Sequence, residues 1–202
     1  TRGFARRITP YKRADLLLRD VNRLIEINDK VGKIQIIYAG KAHPADTDGK
    51  ELIRNIFAKI KELSSKIKVA YLENYDITQA RLITSGVDLW LNNPLPPQEA
   101  SGTSGMKASL NGVPNLSILD GWWIEGCIEN VTGWAIGTLQ SQGRDSAQDA
   151  FDLYQKLEKI IIPMFYKEKD KWQEIMRSTI ALNASFFNTQ RMVQEYVLNA
   201  YL

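Results

Sequence analysis

The sequence predicts an α/β fold, and three observations carry that prediction. Short, near-continuously apolar runs, such as Ile34, Ile36, Ile37 and Tyr38 or Val87 to Leu91, read as strands buried on both faces, as in parallel sheets. Between them lie segments whose apolar residues repeat at helical spacing. The connections are short, and strand–helix alternation at short loop lengths gives a parallel sheet with helices on both faces.

Taken in order, Gly3 to Ile8 predicts a first strand that turns at Thr9-Pro10. Thr9 as cap and Pro10 as first helical residue predict a helix continuing through Leu16, Leu17, Val21, Leu24 and Ile25 to about Asn28. Lys33 to Ala39 is the second strand. A helix from about Asp48 to Ser64 follows, with Leu52, Ile53, Ile56, Ile60 and Leu63 on one face. Ile67 to Leu72 is the third strand, and a shorter helix from about Ile77 to Thr84 leads to the fourth at Val87. Asn92-Asn93-Pro94-Leu95-Pro96-Pro97 forces an irregular connection. Met106 to Leu110 reads as helix, stopped by Asn111-Gly112. Val113 to Leu119 is a fifth strand and Gly133 to Gly137 a short sixth. Polar residues Ser141 to Asp145 read as a mobile connection. Three helices finish the chain: Ala147 to Ile162, stopped by Pro163; Lys169 to Ala184; and Thr189 to Tyr201. The expected architecture is a Rossmann-like, doubly wound, mainly parallel sheet of about six strands that ends in a helical segment. Residues 1–145 form its core, and 146–202 supply helices that pack on the same lobe as part of one structural domain.

Composition narrows the function. The 202 residues allow a real core, and a formal charge of +3 argues against a bulk nucleic-acid role. Nothing approaches the apolar length of a membrane span, and no signal peptide is visible. A single cysteine, Cys127, permits no internal disulfide and suits a reducing, cytoplasmic compartment; it reads as a small apolar filler. With one histidine and one cysteine, a metal site is not expected. The chain opens without methionine and reads as a piece of a longer protein.

In a parallel sheet the ligand site lies outside the carboxyl ends of the strands. Arg6–Lys12, Gly40–Asp46, Glu73–Ile77, Asn92–Gly105 and Asp120–Gly126 all follow strands, so they converge on one place. Within them, Glu99-Ala-Ser-Gly-Thr-Ser-Gly-Met-Lys107 stands out. Its small residues sit where a helix begins, and free N–H groups with the positive end of the dipole favour a phosphate there. Lys107 lies about one turn inside. A phosphate seat beside an amine suits pyridoxal phosphate, whose aldehyde condenses with lysine. By spacing alone, an ordinary crossover with an exposed lysine is the commoner arrangement. Arg6, Arg7, Lys12 and Arg13 could clamp phosphate, the arginines bidentately, or form a solvated basic face; Arg13 fits the latter. His43 reads as a loop-ordering or capping residue. Of Trp122 and Trp123, one reads as core and the other as cleft edge.

The stretch from Glu99 to Lys107 resembles the cofactor-lysine motif of the glycogen (α-glucan) phosphorylases, many larger members of which read Gly-Asn where this chain has Ser104-Gly105. Ala-Arg-Arg-Ile-Thr-Pro-Tyr-Lys-Arg resembles the segment that places basic residues on both phosphates in that family, and Glu73-Asn-Tyr-Asp-Ile77 its tyrosine segment. Asp120-Gly-Trp-Trp-Ile-Glu-Gly and Phe187-Asn-Thr-Gln-Arg-Met-Val193 resemble the shorter bacterial and archaeal branch. The resemblance implies the C-terminal, cofactor-bearing lobe of a two-lobed glycosyltransferase B-type fold. It implies pyridoxal 5′-phosphate on Lys107, its phosphate facing Arg6, Thr103 and Ser104, and its ring bordered by Tyr75. Inorganic phosphate falls to Arg7 and Lys12. The sugar falls to Tyr11, Glu99, Ser101 and Gly102. Lys107, Arg7 and Lys12 are the implied catalytic residues. The implied reaction is reversible phosphorolysis of α-1,4-glucan to glucose 1-phosphate. Its implied partner is the N-terminal lobe of the same protein, with no nucleic acid or membrane involved and a homo-oligomer in full length left open. Two other readings stand beside it. One is a nucleotide-sugar glycosyltransferase lobe, whose retaining members often carry a second glutamate where this chain has Lys107; the other is a non-catalytic glucan-binding module.

Overall fold

The computed structural model describes residues 1–139 and 145–201. Six strands form one sheet: β1 (Arg2–Ala5), β2 (Gln35–Ala39), β3 (Lys68–Leu72), β4 (Leu89–Asn92), β5 (Asn115–Ile118) and β6 (Gly133–Ile136). Every pairing is parallel, in the order β3-β2-β1-β4-β5-β6. All carboxyl ends therefore lie along one edge, as a Rossmann-like fold requires.

The connecting helices are α1 (Val21–Lys30), α2 (Thr47–Leu63), α3 (Ile77–Gly86), α4 (Thr103–Leu110) and the single turn α5 (Trp123–Gly126). Beyond β6 follow α6 (Ser146–Lys156), α7 (Ile162–Lys167), α8 (Lys169–Ser178) and α9 (Thr189–Tyr196). Alternation along the strands divides the apolar residues between the two faces. Phe4, Tyr38, Leu89, Leu116 and Trp134 pack with Leu24 and Ile27 of α1, Ile56 of α2, and Leu153, Tyr154, Ile162 and Trp172 of α6–α8. On the other face Ala5, Ala39 and Trp90 meet Ile83 of α3, Ala108 of α4 and the half-buried Tyr75. The late helices thus share a core with the sheet, and the Trp134 and Trp172 rings stack with centroids 5.7 Å apart.

Several expectations need correcting. β1 ends at Ala5: Arg6 bends away, its side chain reaching Glu99, before Ile8 returns to the core. The helix expected from Pro10 to Asn28 is broken. Pro10–Lys12 and Leu16–Leu18 are separate 3-10 turns, Arg13 between them is left-handed (φ 44°), and α1 starts only where the Asp20 carboxylate accepts from the Arg23 N–H. Thr9 makes no side-chain cap bond; its hydroxyl is buried without a partner. Pro163 does not stop its helix. A wide π turn at Leu157–Ile161 precedes it, making room for the ring against the preceding carbonyls, and the helix continues to Lys167. The connection expected at 141–145 lies, apart from Asp145, outside the described residues; Asp145 caps α6 by accepting from the Ala147 N–H at 2.8 Å.

Candidate active site

The strand order reverses between β1 and β4, and the crevice at such a switch point is where ligands bind in open parallel sheets. Three charged side chains meet there. Arg6 follows β1, Lys12 ends the first 3-10 turn, and Glu99 comes from the loop after β4. Arg6 Nη2 donates to Glu99 Oε2 at 2.5 Å, and Lys12 Nζ donates to the same oxygen. All three residues are buried, none more than 8% exposed. Burial pushes the Glu99 carboxyl up, but Arg6 and Lys12 outweigh it and hold it below the usual carboxylate range. Two cations on one carboxylate leave the trio one positive charge in excess. Glu99 Oε1 accepts no hydrogen bond among the described residues, and Arg6 Nη1 is buried without a partner.

Tyr11 is half-buried, with the Lys12 ammonium 4.5 Å from its ring centre, and its carbonyl accepts from the Leu95 N–H at 2.7 Å. That bond ties the loop after β1 to the loop after β4. Tyr75, after β3, reaches the same end of the sheet: its hydroxyl lies 3.5 Å from the Ala5 carbonyl, which accepts from it. Burial pushes the Tyr75 phenol up, and the Arg6 charge opposes that rise. Arg7 is exposed and makes no ion pair among the described residues. His43 orders its loop, its Nδ1 accepting from the Ala45 N–H at 3.1 Å.

Gly102, left-handed at φ 87°, caps α4, so the helix starts at Thr103, three residues earlier than its apolar pattern suggested. Thr103 is exposed, Ser101 is half-buried, and the Ser104 hydroxyl is buried without a partner. The first N–H groups of α4 have no intrahelical acceptor. Lys107, the fifth residue of α4, is exposed and makes no ion pair among the described residues. At Gly105 a Cβ would stand 2.7 Å from Asn115 Oδ1 and 2.9 Å from Trp122 Nε1. The exchange of Gly-Asn for Ser104-Gly105 is thus matched by the indole and amide that fill the space beside position 105.

Two expectations fail here. Arg13 is not a solvated cation: it is buried, its Nη1 donates to Asp149 Oδ2 at 2.8 Å and to Ser146 Oγ at 3.0 Å, and its Nε and Nη2 donate to the Asn93 and Pro94 carbonyls. Neither tryptophan borders the cleft as an exposed edge. Trp122 and Trp123 are both buried, with ring centres 5.0 Å apart, and Trp122 also meets Phe187. Cys127 is free, and burial, seconded by Glu129, pushes its thiol up to about 12, so it is poorly ionised. The reading of the residues also missed Asp120, which is buried and holds the Glu99 backbone from the loop after β5. Its one sequence signal is its place at a strand's carboxyl end.

A buried cationic pair sharing one carboxylate, beside a helix start built from small residues, marks the switch point of this α/β lobe. The comparisons specify which kind. The carbohydrate phosphorylase family model matches residues 4–133. Over the whole chain it is 47% identical to a glycogen phosphorylase of Aquifex aeolicus, covering 30% of that protein. It is also 47% identical to a maltodextrin phosphorylase of Thermococcus litoralis, over 98% of this chain and 24% of that one. The chain belongs to the carbohydrate phosphorylase family, and it spans less than a third of the length of these relatives. Among solved structures, Anabaena Alr3699/HepE in complex with UDP superposes with a TM-score of 0.67 over 99% of this chain and 48% of that one; at 18% identity this shows the fold alone.

Proposed function

We propose that this chain is the cofactor- and phosphate-bearing lobe of an α-glucan phosphorylase that acts with an N-terminal lobe of the same protein in the cytoplasm. The observation that carries the reading is the buried Arg6–Glu99–Lys12 group at the switch point. The residues present fit pyridoxal 5′-phosphate. Arg6 Nη1 and the Ser104 hydroxyl are buried donors without partners, the entrance to α4 is lined by small residues, and Lys107 is a free amine on the same helix. Lys107 would hold the aldehyde covalently, Arg6, Thr103 and Ser104 the phosphate, and Tyr75 the edge of the ring. Bound there, the cofactor would supply a phosphate able to exchange a proton with substrate phosphate.

The chain's own residues do the rest. Two phosphates within about 4 Å repel by roughly 4 kcal/mol per pair of unit charges near a protein surface. Arg6, Arg7, Lys12 and the start of α4 offset that repulsion. Arg7 and Lys12 hold inorganic phosphate against the glycosidic bond. The sugar C1–O bond breaks, the departing oxygen takes a proton from that phosphate, and a phosphate oxygen bonds C1 on the same face. Glu99 serves the sugar without abandoning the cations, since Oε2 takes both of them and Oε1 is left for a hydroxyl. Ser101, Gly102 and Tyr11 complete the sugar contacts.

The test is spectroscopic. The protein incubated with pyridoxal 5′-phosphate should show a lysine–pyridoxal absorbance band, and borohydride should fix the label at Lys107; a label spread over surface lysines would refute the reading. Arg7→Ala should raise the KM for phosphate about tenfold and also lower kcat, because the same charge acts in the transition state. An effect confined to glucan affinity would contradict its assignment. The 202-residue chain by itself should melt cooperatively yet release no glucose 1-phosphate from maltooligosaccharide and phosphate. Positioning by a second lobe is worth roughly 7–11 kcal/mol of barrier, and robust turnover without it would show that one lobe suffices.

A further inference from the structure

We propose that Asp120 is a positioning residue for the sugar site, fixing Glu99 from the side of β5; this rests on the reading of Glu99 given above. Asp120 is buried, 6% exposed, and forms no ion pair among the described residues. Its Oδ2 accepts from the Glu99 N–H at 2.9 Å and its Oδ1 from the Gly121 N–H at 3.0 Å. Burying a carboxylate with no countercharge is costly, so a neutral side chain would be favoured if one hydrogen bond were all the fold needed. Both groups facing Asp120 are donors. Of the side chains of this size, only a carboxylate accepts on both oxygens; asparagine would turn an NH₂ toward one of those N–H groups.

Two further contacts press the same loops together. The Trp122 N–H donates to the Ser101 carbonyl at 2.9 Å. Gly121, at φ 56°, lies so close that a Cβ there would stand 2.5 Å from the Ser101 oxygen and 3.0 Å from the Glu99 oxygen. Glu99 is therefore gripped at both ends. Its carboxylate is held from β1 by Arg6 and Lys12, and its backbone from β5 by Asp120. Releasing the backbone end would let Oε1 wander from its place toward the sugar while the cations keep hold of Oε2.

The experiment is Asp120→Ala in the full-length protein, with two readouts. Hydrogen exchange at the Glu99 amide should quicken about tenfold or more, since a buried N–H loses its acceptor. The KM for glucan should rise about tenfold while that for phosphate stays within about twofold. A merely structural residue would lower the active fraction and leave both KM values alone. If Asp120→Ala does not fold, Asp120→Leu, which fills the space and likewise offers no acceptor, carries the same comparison. Unchanged exchange at Glu99, or equal rises in both KM values, would overturn the proposal. If the wild-type protein itself performs no phosphorolysis, the reading of the site falls, and amide exchange alone decides whether Asp120 holds Glu99.

Discussion

In Lys107→Ala, borohydride leaves no pyridoxyl label on the protein, and phosphorolysis falls by about a thousandfold or more. The amine is the one group on α4 able to hold an aldehyde, and it stands exposed with no competing ion pair among the described residues. Without it, the cofactor phosphate depends on Arg6, Ser104 and the helix start alone, so its residence shortens and its orientation loosens. A proton-transfer partner that is absent or misplaced forfeits roughly the 10²–10⁴-fold that acid–base catalysis supplies, and weaker binding adds to that. Phosphate affinity should change little, because Arg7 and Lys12 are untouched. Full activity in Lys107→Ala, measured without added amine, would remove Lys107 from the mechanism.

Arg13→Ala should be among the most destabilising single substitutions in the chain, at about 3–5 kcal/mol. The guanidinium joins three parts of the fold that are distant in sequence: the turn after β1, the loop after β4 through the Asn93 and Pro94 carbonyls, and α6 through Asp149. Its loss takes a cation from the buried Asp149 carboxylate and leaves the buried Asn93 and Pro94 carbonyls without their donor. At about 2–4 °C per kcal/mol for a chain of this size, the melting temperature should drop by roughly 10 °C. Arg13→Lys should recover little, since an ammonium cannot span the fork of acceptors. A melting temperature within a degree of wild type would show that the network contributes nothing net.

The elements with strong local signals were legible in the sequence. β2, β3 and β4 announce themselves by near-continuous apolar runs, and α2 by its apolar face. The loops at the carboxyl ends could be named before their contacts were known. What escaped depends on contacts across the sheet. The break at Arg13 is invisible to helical periodicity, because acceptors 80 and 136 residues away draw the side chain inward. The helix running through Pro163 depends on a local widening that composition does not signal. Trp122 is buried because Gly102, Gly105 and Phe187 pack around it, which a tryptophan in a loop does not disclose. Asp120 opens a loop after a strand with nothing in the sequence to set it apart, and only the register of β5 beside β4 brings it under Glu99.

The tie between Arg13 and Asp149 also bears on how the chain is born. Arg13 leaves the ribosome ahead of its carboxylate partner, which follows 136 residues later. At roughly 5–20 residues per second, that delay is on the order of ten seconds. Until α6 emerges, the first two strands and their loop carry an arginine whose carboxylate partner has not yet been synthesised, and the crevice between β1 and β4 lacks the fastening that ties its floor to α6. This lobe's first strands therefore stay without that fastening, and open to chaperones, until α6 arrives to supply it.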